Sequence, residues 1–326
     1  METGVAVVGC GYWGRNLARN FSELGSLASI CDTDGDALAE QAALYPDAEV
    51  TNNLADVLAS DVGVVVLATP AATHFDMAMH ALAAGKDVFV EKPLALRYRD
   101  GRQLVERADG AGRILMVGHV LEYHPAFEKL KEMVAGGELG ELRYVYSNRL
   151  NLGRVRREEN ILWSFAPHDI SAITTLLSVE PDAVATSGGS YLREGVADVT
   201  LTNMLFPGGV RAHVFVSWLH PFKEQRLVVI GARRMAVFSD TEPAAKLKVY
   251  DIDWQDGEPT QRSETAVAVS SDEPLRRECE HLLSCVRDRA RPRTDGDNGL
   301  TVLRVLEASQ VSLERDGAIV PLSEVR

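Results

Sequence analysis

Four apolar residues, Val5-Ala6-Val7-Val8, run without a break into Gly9-Cys10-Gly11-Tyr12-Trp13-Gly14, and behind these Leu17, Phe21 and Leu24 recur at helical spacing. A buried strand that turns through G-x-G-x-x-G into an amphipathic helix constrains the chain strongly, because it opens a βαβ unit. Gly9 permits the sharp turn, Gly11 lets a pyrophosphate approach the backbone, and Gly14 lets the helix lie against the strand. The helix N-terminus offers N–H groups to the anion. A second strand, Leu27 to Cys31, ends in Asp32, whose carboxylate can accept the ribose hydroxyls of an adenosine. These residues predict a dinucleotide site built from Gly9, Gly11, Tyr12, Trp13, Gly14 and Asp32. Thr33-Asp34-Gly35-Asp36 follows, with no arginine to neutralise a 2′-phosphate and with carboxylates to repel one, which favours NAD over NADP.

Strand and helix patterns alternate as far as residue 120. Helices are expected over Asp36 to Leu44, Leu54 to Ala59, His74 to Ala84 and Asp100 to Ala108, and strands over Ala48 to Thr51, Val62 to Ala68, Asp87 to Val90 and Ile114 to Val120. The continuous apolar run Val62 to Ala68 fits a strand covered on both faces. The pattern predicts an α/β chain whose residues 1 to 121 form a Rossmann-type, doubly wound parallel sheet. Ligands on such sheets lie at the carboxyl ends of the strands, so Thr69, Pro70, His74, Glu91 and Lys92 should join the glycine turn at the cofactor.

Beyond residue 121 the pattern changes. His124-Pro125 opens a helix to Ala135, and strands are expected over Leu142 to Leu150, Ala183 to Tyr191, Val196 to Phe206, Val210 to Trp218, Arg226 to Gly231 and Met235 to Ser239, with a hairpin turn at Pro207-Gly208-Gly209. Residues 122 to 326 are therefore expected to form an α+β domain on a mainly antiparallel open sheet. Helices over Ile161 to Leu177, Leu275 to Arg289 and Leu300 to Leu313 would cover one sheet face or pack back on the first domain, and the other face would meet solvent or a partner subunit. Gly257 to Glu264 reads as an exposed mobile loop.

A chain of 326 residues suits two domains. Its net charge of −13 argues against nucleic acid or an anionic membrane surface as partner, since both need a broad positive field. The four cysteines, Cys10, Cys31, Cys279 and Cys285, have no metal or redox spacing and read as free thiols. No apolar run approaches the length of a membrane span, and a cytoplasmic location is expected by default. No metal site is expected, because the histidines show no ligand spacing.

Lys92 lies between Glu91 and Pro93 at a strand end that points into the expected cofactor crevice. It is either a solvated lysine or an acid-base group pushed toward neutrality by a cationic nicotinamide, with Glu91 opposing that shift. His168 opens an apolar helix in Trp163-Ser164-Phe165-Ala166-Pro167-His168-Asp169; it is either a packed polar residue or a catalytic partner facing Lys92. Between these lies Arg149-Leu150-Asn151-Leu152-Gly153-Arg154-Val155-Arg156-Arg157-Glu158-Glu159. Arginines this dense form either an anion receiver or a solvated loop paired with its own glutamates. Arg149, Asn151, Arg156, Arg157 and Trp163 are carried as substrate candidates, together with Lys92, His168, His119 and Tyr123. His124 is a further candidate for the pocket wall.

With the glycine turn, Asp32, Thr69-Pro70, Glu91-Lys92-Pro93 and His168-Asp169 in this order, the whole chain resembles the Gfo/Idh/MocA oxidoreductase family. The resemblance implies that Lys92 is the catalytic lysine beside the nicotinamide and that His168 completes the site. Ser164 stands where many members carry an aspartate, which leaves the acid-base work to Lys92 and His168. The phrases Gly11-Tyr12-Trp13-Gly14-Arg15-Asn16-Leu17, Val117-Gly118-His119 and Glu159-Asn160-Ile161-Leu162-Trp163-Ser164-Phe165 resemble the branch that oxidises the 3-hydroxyl of UDP-N-acetylglucosamine or its uronate. That branch implies NAD as cofactor, a nucleotide-sugar substrate, a 3-keto product that an aminotransferase can take up, and a homodimer or homotetramer. Two other activities stay open on the same residues. One is oxidation of a free sugar or inositol; the other is a glycosidase or epimerase that oxidises its NADH back to NAD within each cycle.

Overall fold

The computed structural model describes residues 3–153, 159–255 and 258–326. They fall into two compact units, one running through Val120 and taking in Glu273–Leu303, the other comprising Leu121–Asp272 and Arg304–Arg326.

The first unit alternates strand and helix: β1 (Val5–Val8), α1 (Tyr12–Glu23), β2 (Leu27–Cys31), α2 (Gly35–Leu44), β3 (Glu49–Thr51), α3 (Leu54–Ala59), β4 (Val64–Leu67), α4 (His74–Ala83), β5 (Asp87–Glu91), α5 (Tyr98–Ala111) and β6 (Leu115–Gly118). The six strands are all parallel, in the order β3-β2-β1-β4-β5-β6. Every residue of β1, β4, β5 and β6 is buried, which is why these segments read as unbroken apolar runs. Growth of the sheet reverses between β1 and β4, so the loops after these two strands part and leave a crevice at their carboxyl ends. Polar side chains set the helix starts: Asp34 accepts the N–H groups of Asp36 and Ala37, and Asn53 accepts that of Ala55.

The second unit opens with α6 (Pro125–Ala135), β7 (Leu142–Leu152) and α7 (Ile161–Leu177), and continues through β8 (Ala183–Gly189), β9 (Val199–Leu205), β10 (Arg211–Ser217), β11 (Leu219–Gly231), β12 (Arg234–Ser239), β13 (Leu247–Gln255) and β14 (Glu258–Ala266). Helices α8 (Pro274–Asp288) and α9 (Gly296–Glu314) and the short β15 (Val320–Pro321) complete the chain. Nine strands pair in the order β14-β13-β12-β11-β7-β10-β9-β8-β15. All pairs are antiparallel except β7 with β10. Helix α7 lies across β7, β9 and β10. The hairpin turn between β9 and β10 is where the sequence places it, with Gly208 and Gly209 at φ of 72° and 89°.

Two segments differ from the sequence reading. Of the segment Gly257 to Glu264, expected as a loop, Gly257 lies outside the described residues and the rest belongs to β14; β13 before it was not foreseen. Strand β14 is an edge strand exposed along almost its whole length, so its side chains carry no inward-facing apolar alternation; backbone pairing to β13 makes it a strand. Strand β11 begins at Leu219 rather than Arg226, because its polar first half pairs with the end of β7.

Alternation along β7 separates two surfaces. Ser147 points to α7, where it donates to Asp169 at 2.5 Å, so Tyr144 and Tyr146 point away from the helix. There Tyr146 stacks on His213, with ring centroids 5.1 Å apart, and Tyr144 hydrogen-bonds the same imidazole.

In the first unit, α8 and the residues after it are stitched to the parallel sheet. Arg289 donates to Asp87 at 2.6 Å, and Thr294 bonds Val117 through both its hydroxyl and its carbonyl at 2.7 Å.

Candidate active site

The glycine turn has the shape its spacing demands. Gly9 has φ of 99°, and a Cβ there would stand 2.7 Å from the Ala68 carbonyl oxygen at the end of β4. A Cβ on Gly14 would stand 1.7 Å from the Gly9 carbonyl oxygen, so only glycine lets α1 approach the turn. Around Gly11, by contrast, a Cβ would meet nothing within 4 Å, and the backbone is open to a ligand. Asp32 at the end of β2 grips this turn: it accepts the backbone N–H of Cys10 and, at 2.9 Å, that of Asp34. Tyr12 is exposed and Trp13 half-buried, their rings edge to face at 5.8 Å. A glycine cradle, an open backbone, a helix N-terminus and a carboxylate at the second strand fit a dinucleotide.

Burial pushes the Cys10 thiol up to about 12 and the Cys31 thiol up to about 11, in each case helped by the Asp32 charge, so both stay protonated. Arg15 donates to the Cys10 carbonyl at 3.0 Å and pairs with Glu40 at 2.7 Å. It puts a guanidinium beside the turn that the sequence reading had not singled out.

At the carboxyl ends of β4 and β5 the chain supplies polar groups in close order. The Thr69 and Thr73 hydroxyls lie 2.8 Å apart, and Pro70 is exposed. Lys92 is half-buried, and its peptide bond to Pro93 is cis. Glu91 is buried; desolvation pushes its carboxyl up to about 7, partly offset by the Lys92 charge. Its side chain lies against Gly118, where a Cβ would come within 3.0 Å of the carboxyl carbon. His119 follows, 1% exposed, and burial together with the nearby Lys92 charge brings its imidazole down to about 3. Lys92, Glu91 and His119 thus form one electrostatic cluster at the end of β5 and β6.

His74, expected against the cofactor, is instead turned into the protein. Its ring nitrogens meet two backbone carbonyls, those of Pro93 at 2.8 Å and Thr69 at 2.9 Å.

In the second unit, Asn160 caps α7 by accepting the Trp163 N–H at 3.2 Å, and Gln310 accepts from both Asn160 and the Trp163 indole. His168 is half-buried on this helix. The next residue, Asp169, is buried and bound by Arg149 and Ser147, which sets the rotation of α7 and sends His168 to a different side, about 100° away. Arg149 is therefore committed to Asp169 instead of an open anion site. Burial opposes its charge, but Asp169 more than offsets this and its pKa is raised. Gln225, with its amide oriented to satisfy both neighbours, accepts from Arg149 at 3.2 Å and donates to Asp240 at 3.1 Å. Asp240 is held below the usual carboxylate range, chiefly by a hydrogen bond from His124 and then by Lys246. His124 caps α6 by accepting the Ala126 N–H, and Tyr123 is fully buried, so neither presents the open pocket wall expected of it. Asn151 is half-buried near the end of β7, and Arg154, Arg156 and Arg157 lie outside the described residues. Among the described residues, a shallow cavity of about 240 Å³ lined by Tyr146, Arg226, Lys248 and Tyr250 gathers none of the expected site residues.

Comparison with known proteins bears on this geometry directly. Residues 3–119 match the model of an oxidoreductase family with an NAD-binding Rossmann fold, Gfo/Idh/MocA, and residues 127–237 match the C-terminal domain of the same family. The chain belongs to the Gfo/Idh/MocA oxidoreductase family. Within that family it is 28% identical to UDP-N-acetylglucosamine 3-dehydrogenase of Acidithiobacillus ferrooxidans, over 96% of this chain and 97% of the relative. A solved structure of that dehydrogenase superposes with a TM-score of 0.88 at 25% identity, covering 97% of this chain and 99% of the other. The chain is also 29% identical to 2,7-anhydro-N-acetylneuraminate hydratase of Mediterraneibacter gnavus, over 62% of this chain, and spans 57% of that relative's length.

A second charged residue of the first unit escaped the sequence reading. Glu278 on α8 is 0% exposed; burial, and then the Glu91 charge, raise its carboxyl well above the ordinary value. Its signal was present in the helical spacing, since it falls on the same apolar stripe as Leu275, Cys279 and Leu282.

Proposed function

We propose that this protein is an NAD-dependent dehydrogenase that oxidises the 3-hydroxyl of a UDP-linked amino sugar to the 3-ketone. The observation that carries this reading is end-to-end similarity to a UDP-N-acetylglucosamine 3-dehydrogenase, combined with a half-buried lysine just past the carboxyl end of a buried parallel strand. Bound along the glycine turn, the nicotinamide cofactor supplies the hydride acceptor.

The protein's own residues do the rest. Gly9, Gly11 and Gly14 admit the pyrophosphate to the N-terminus of α1, and Asp32 takes the adenosine ribose. Lys92 takes the proton of the sugar hydroxyl as the carbon beside it loses hydride, so that alcohol becomes ketone and one proton leaves on the amine. His119 stays neutral beside Lys92 and is a hydrogen-bonding group for the sugar, with no competing positive charge. His168 and Trp163 on α7 orient the substrate. The protein acts as a homo-oligomer, and its 3-keto product suits an aminotransferase.

The test is a screen of UDP-N-acetylglucosamine, its uronate, free sugars and inositols with NAD, following NADH at 340 nm and assigning the ketone position by NMR. NADH formation with the UDP-sugars alone supports the reading. Turnover of free sugars that UDP does not inhibit would move the assignment to an unactivated substrate. Adding water to a substrate changes no net oxidation state, so the likeness to a hydratase favours a second reading, in which any hydride taken up by the cofactor returns to the same substrate within each cycle. Product formation without net NADH would establish that reading in place of the first.

A further inference from the structure

His74 is 1% exposed and is the first residue of α4. Its Nδ1 lies 2.8 Å from the Pro93 carbonyl oxygen and its Nε2 lies 2.9 Å from the Thr69 carbonyl oxygen. A carbonyl oxygen only accepts, so each ring nitrogen must donate to satisfy its partner. A neutral imidazole carries one N–H and a lone pair; only the imidazolium carries two N–H groups. A neutral ring held here would aim its lone pair at a carbonyl oxygen, away from water.

The two carbonyls belong to different loops. Thr69 starts the turn after β4, and Pro93 follows Lys92 at the end of β5. The first of these loops flanks the switch in strand order, and the second leaves the neighbouring strand at the same end of the sheet. We propose that His74 is a doubly protonated cross-brace that ties the turn after β4 to the Lys92-Pro93 turn, making it a positioning residue for the reacting lysine. The inference rests on the dehydrogenase reading only for what the brace is used for; the charge state stands on the geometry of the first unit alone.

Burial, the N-terminus of α4 and the Lys92 charge one residue before Pro93 all disfavour a cation, so the two carbonyl dipoles must outweigh them. The ionisable groups on the surrounding elements are Asp76 and His80 on α4, Asp87 and Glu91 on β5 with Lys92 just beyond it, and Tyr98, Arg99, Asp100, Arg102, Glu106, Arg107 and Asp109 on the adjoining α5; residues 69–73 contribute none. The brace also explains why a histidine occupies the first turn of this helix. Glutamine or asparagine could reach one carbonyl but cannot place two donors on opposite sides of one rigid ring.

The experiment is long-range 1H–15N correlation on histidine-labelled protein at pH about 8, where an ordinary histidine with a pKa of about 6.5 is neutral. With sequence-specific assignment of all eight histidines, His74 is expected to show two protonated ring nitrogens. A neutral tautomer for His74 at that pH would overturn the proposal, whatever the enzyme does to sugars. For the positioning role, His74→Gln should lower kcat about tenfold or more while leaving the NAD dissociation constant within about twofold, a split that reads the Lys92 loop separately from cofactor binding. Unchanged kcat in a folded His74→Gln variant would remove the role even if the imidazolium were found.

Discussion

Arg149 reaches across from β7 to Asp169 on α7, donating from Nε at 2.6 Å and from Nη2 at 3.1 Å, so the residue beside His168 is locked to the centre of the nine-stranded sheet. Both side chains are largely removed from water, and neither charge can be left alone there. Asp169→Ala strands the guanidinium and should cost about 3–5 kcal/mol of unfolding free energy, whereas Asp169→Leu with Arg149→Met should recover most of it. Urea unfolding of the two variants checks this; equal losses in both would show that the pair is not what holds α7.

Asp32 holds the Cys10 N–H and, in the proposed reading, also receives the ribose. Replacing it with alanine removes hydrogen bonds to a charged acceptor worth about 1.5–3 kcal/mol, a weakening of NAD binding by roughly 10- to 100-fold. NADP should be affected less, because the repulsion of its 2′-phosphate disappears at the same time, and Arg15 lies beside the turn to receive it. Fluorescence titration with both cofactors measures the ratio; a parallel loss for the two would mean that Asp32 does not discriminate.

Lys92→Ala should abolish turnover while leaving NAD affinity near normal, since the proposed reading assigns the hold on the cofactor to the glycine turn and Asp32. Loss of general acid-base help is worth about 10²–10⁴ in rate. Calorimetric titration with NAD beside the turnover assay separates the outcomes, and lost NAD affinity in an intact fold would place Lys92 in binding instead of catalysis.

Glu91 and Glu278 set an alkaline limit. Both carboxyls are raised by burial, Glu91 to about 7, so the folded state prefers them protonated. Stability from this source is fully present below the ordinary carboxylate value and is lost as pH rises through about 7 for Glu91. For Glu91 alone the loss is about 3 kcal/mol. Glu278→Gln removes one buried acid and the repulsion it exerts on the other, so the variant should gain relative to wild type between pH about 5 and 8. Superimposable pH–stability curves would show that these carboxyls do not titrate with unfolding.

His119 sets the acid side. Its imidazole is depressed to about 3 in the fold, so its contribution is present above the ordinary histidine value and lost as pH falls from about 6.5 toward 3. A shift of that size is worth up to about 5 kcal/mol, and His119→Asn should flatten the acid limb between pH 6 and 4 in urea titrations. An unchanged acid limb would mean that other groups govern acid unfolding.

The features that could be read without the structure are those written in neighbouring residues. The glycine turn, the βα alternation to residue 120 and the hairpin at Gly208-Gly209 each need only a few consecutive side chains, because backbone sterics and strand or helix periodicity act over that range. Strand β14 was missed because an exposed edge strand carries no periodic apolar face.

The site divides the same way. Lys92, Asp32 and the glycines announce themselves by their place at strand ends in the chain. That His74 braces two loops, that Arg149 belongs to Asp169, and that Glu278 is buried within reach of the Glu91 charge depend on which distant segments the fold brings together. Hydrogen bonds and desolvation act over a few ångströms of space, whereas a local pattern in the chain records only which residues precede and follow one another; the tertiary structure alone decided which polar groups became partners and which charges lost their water.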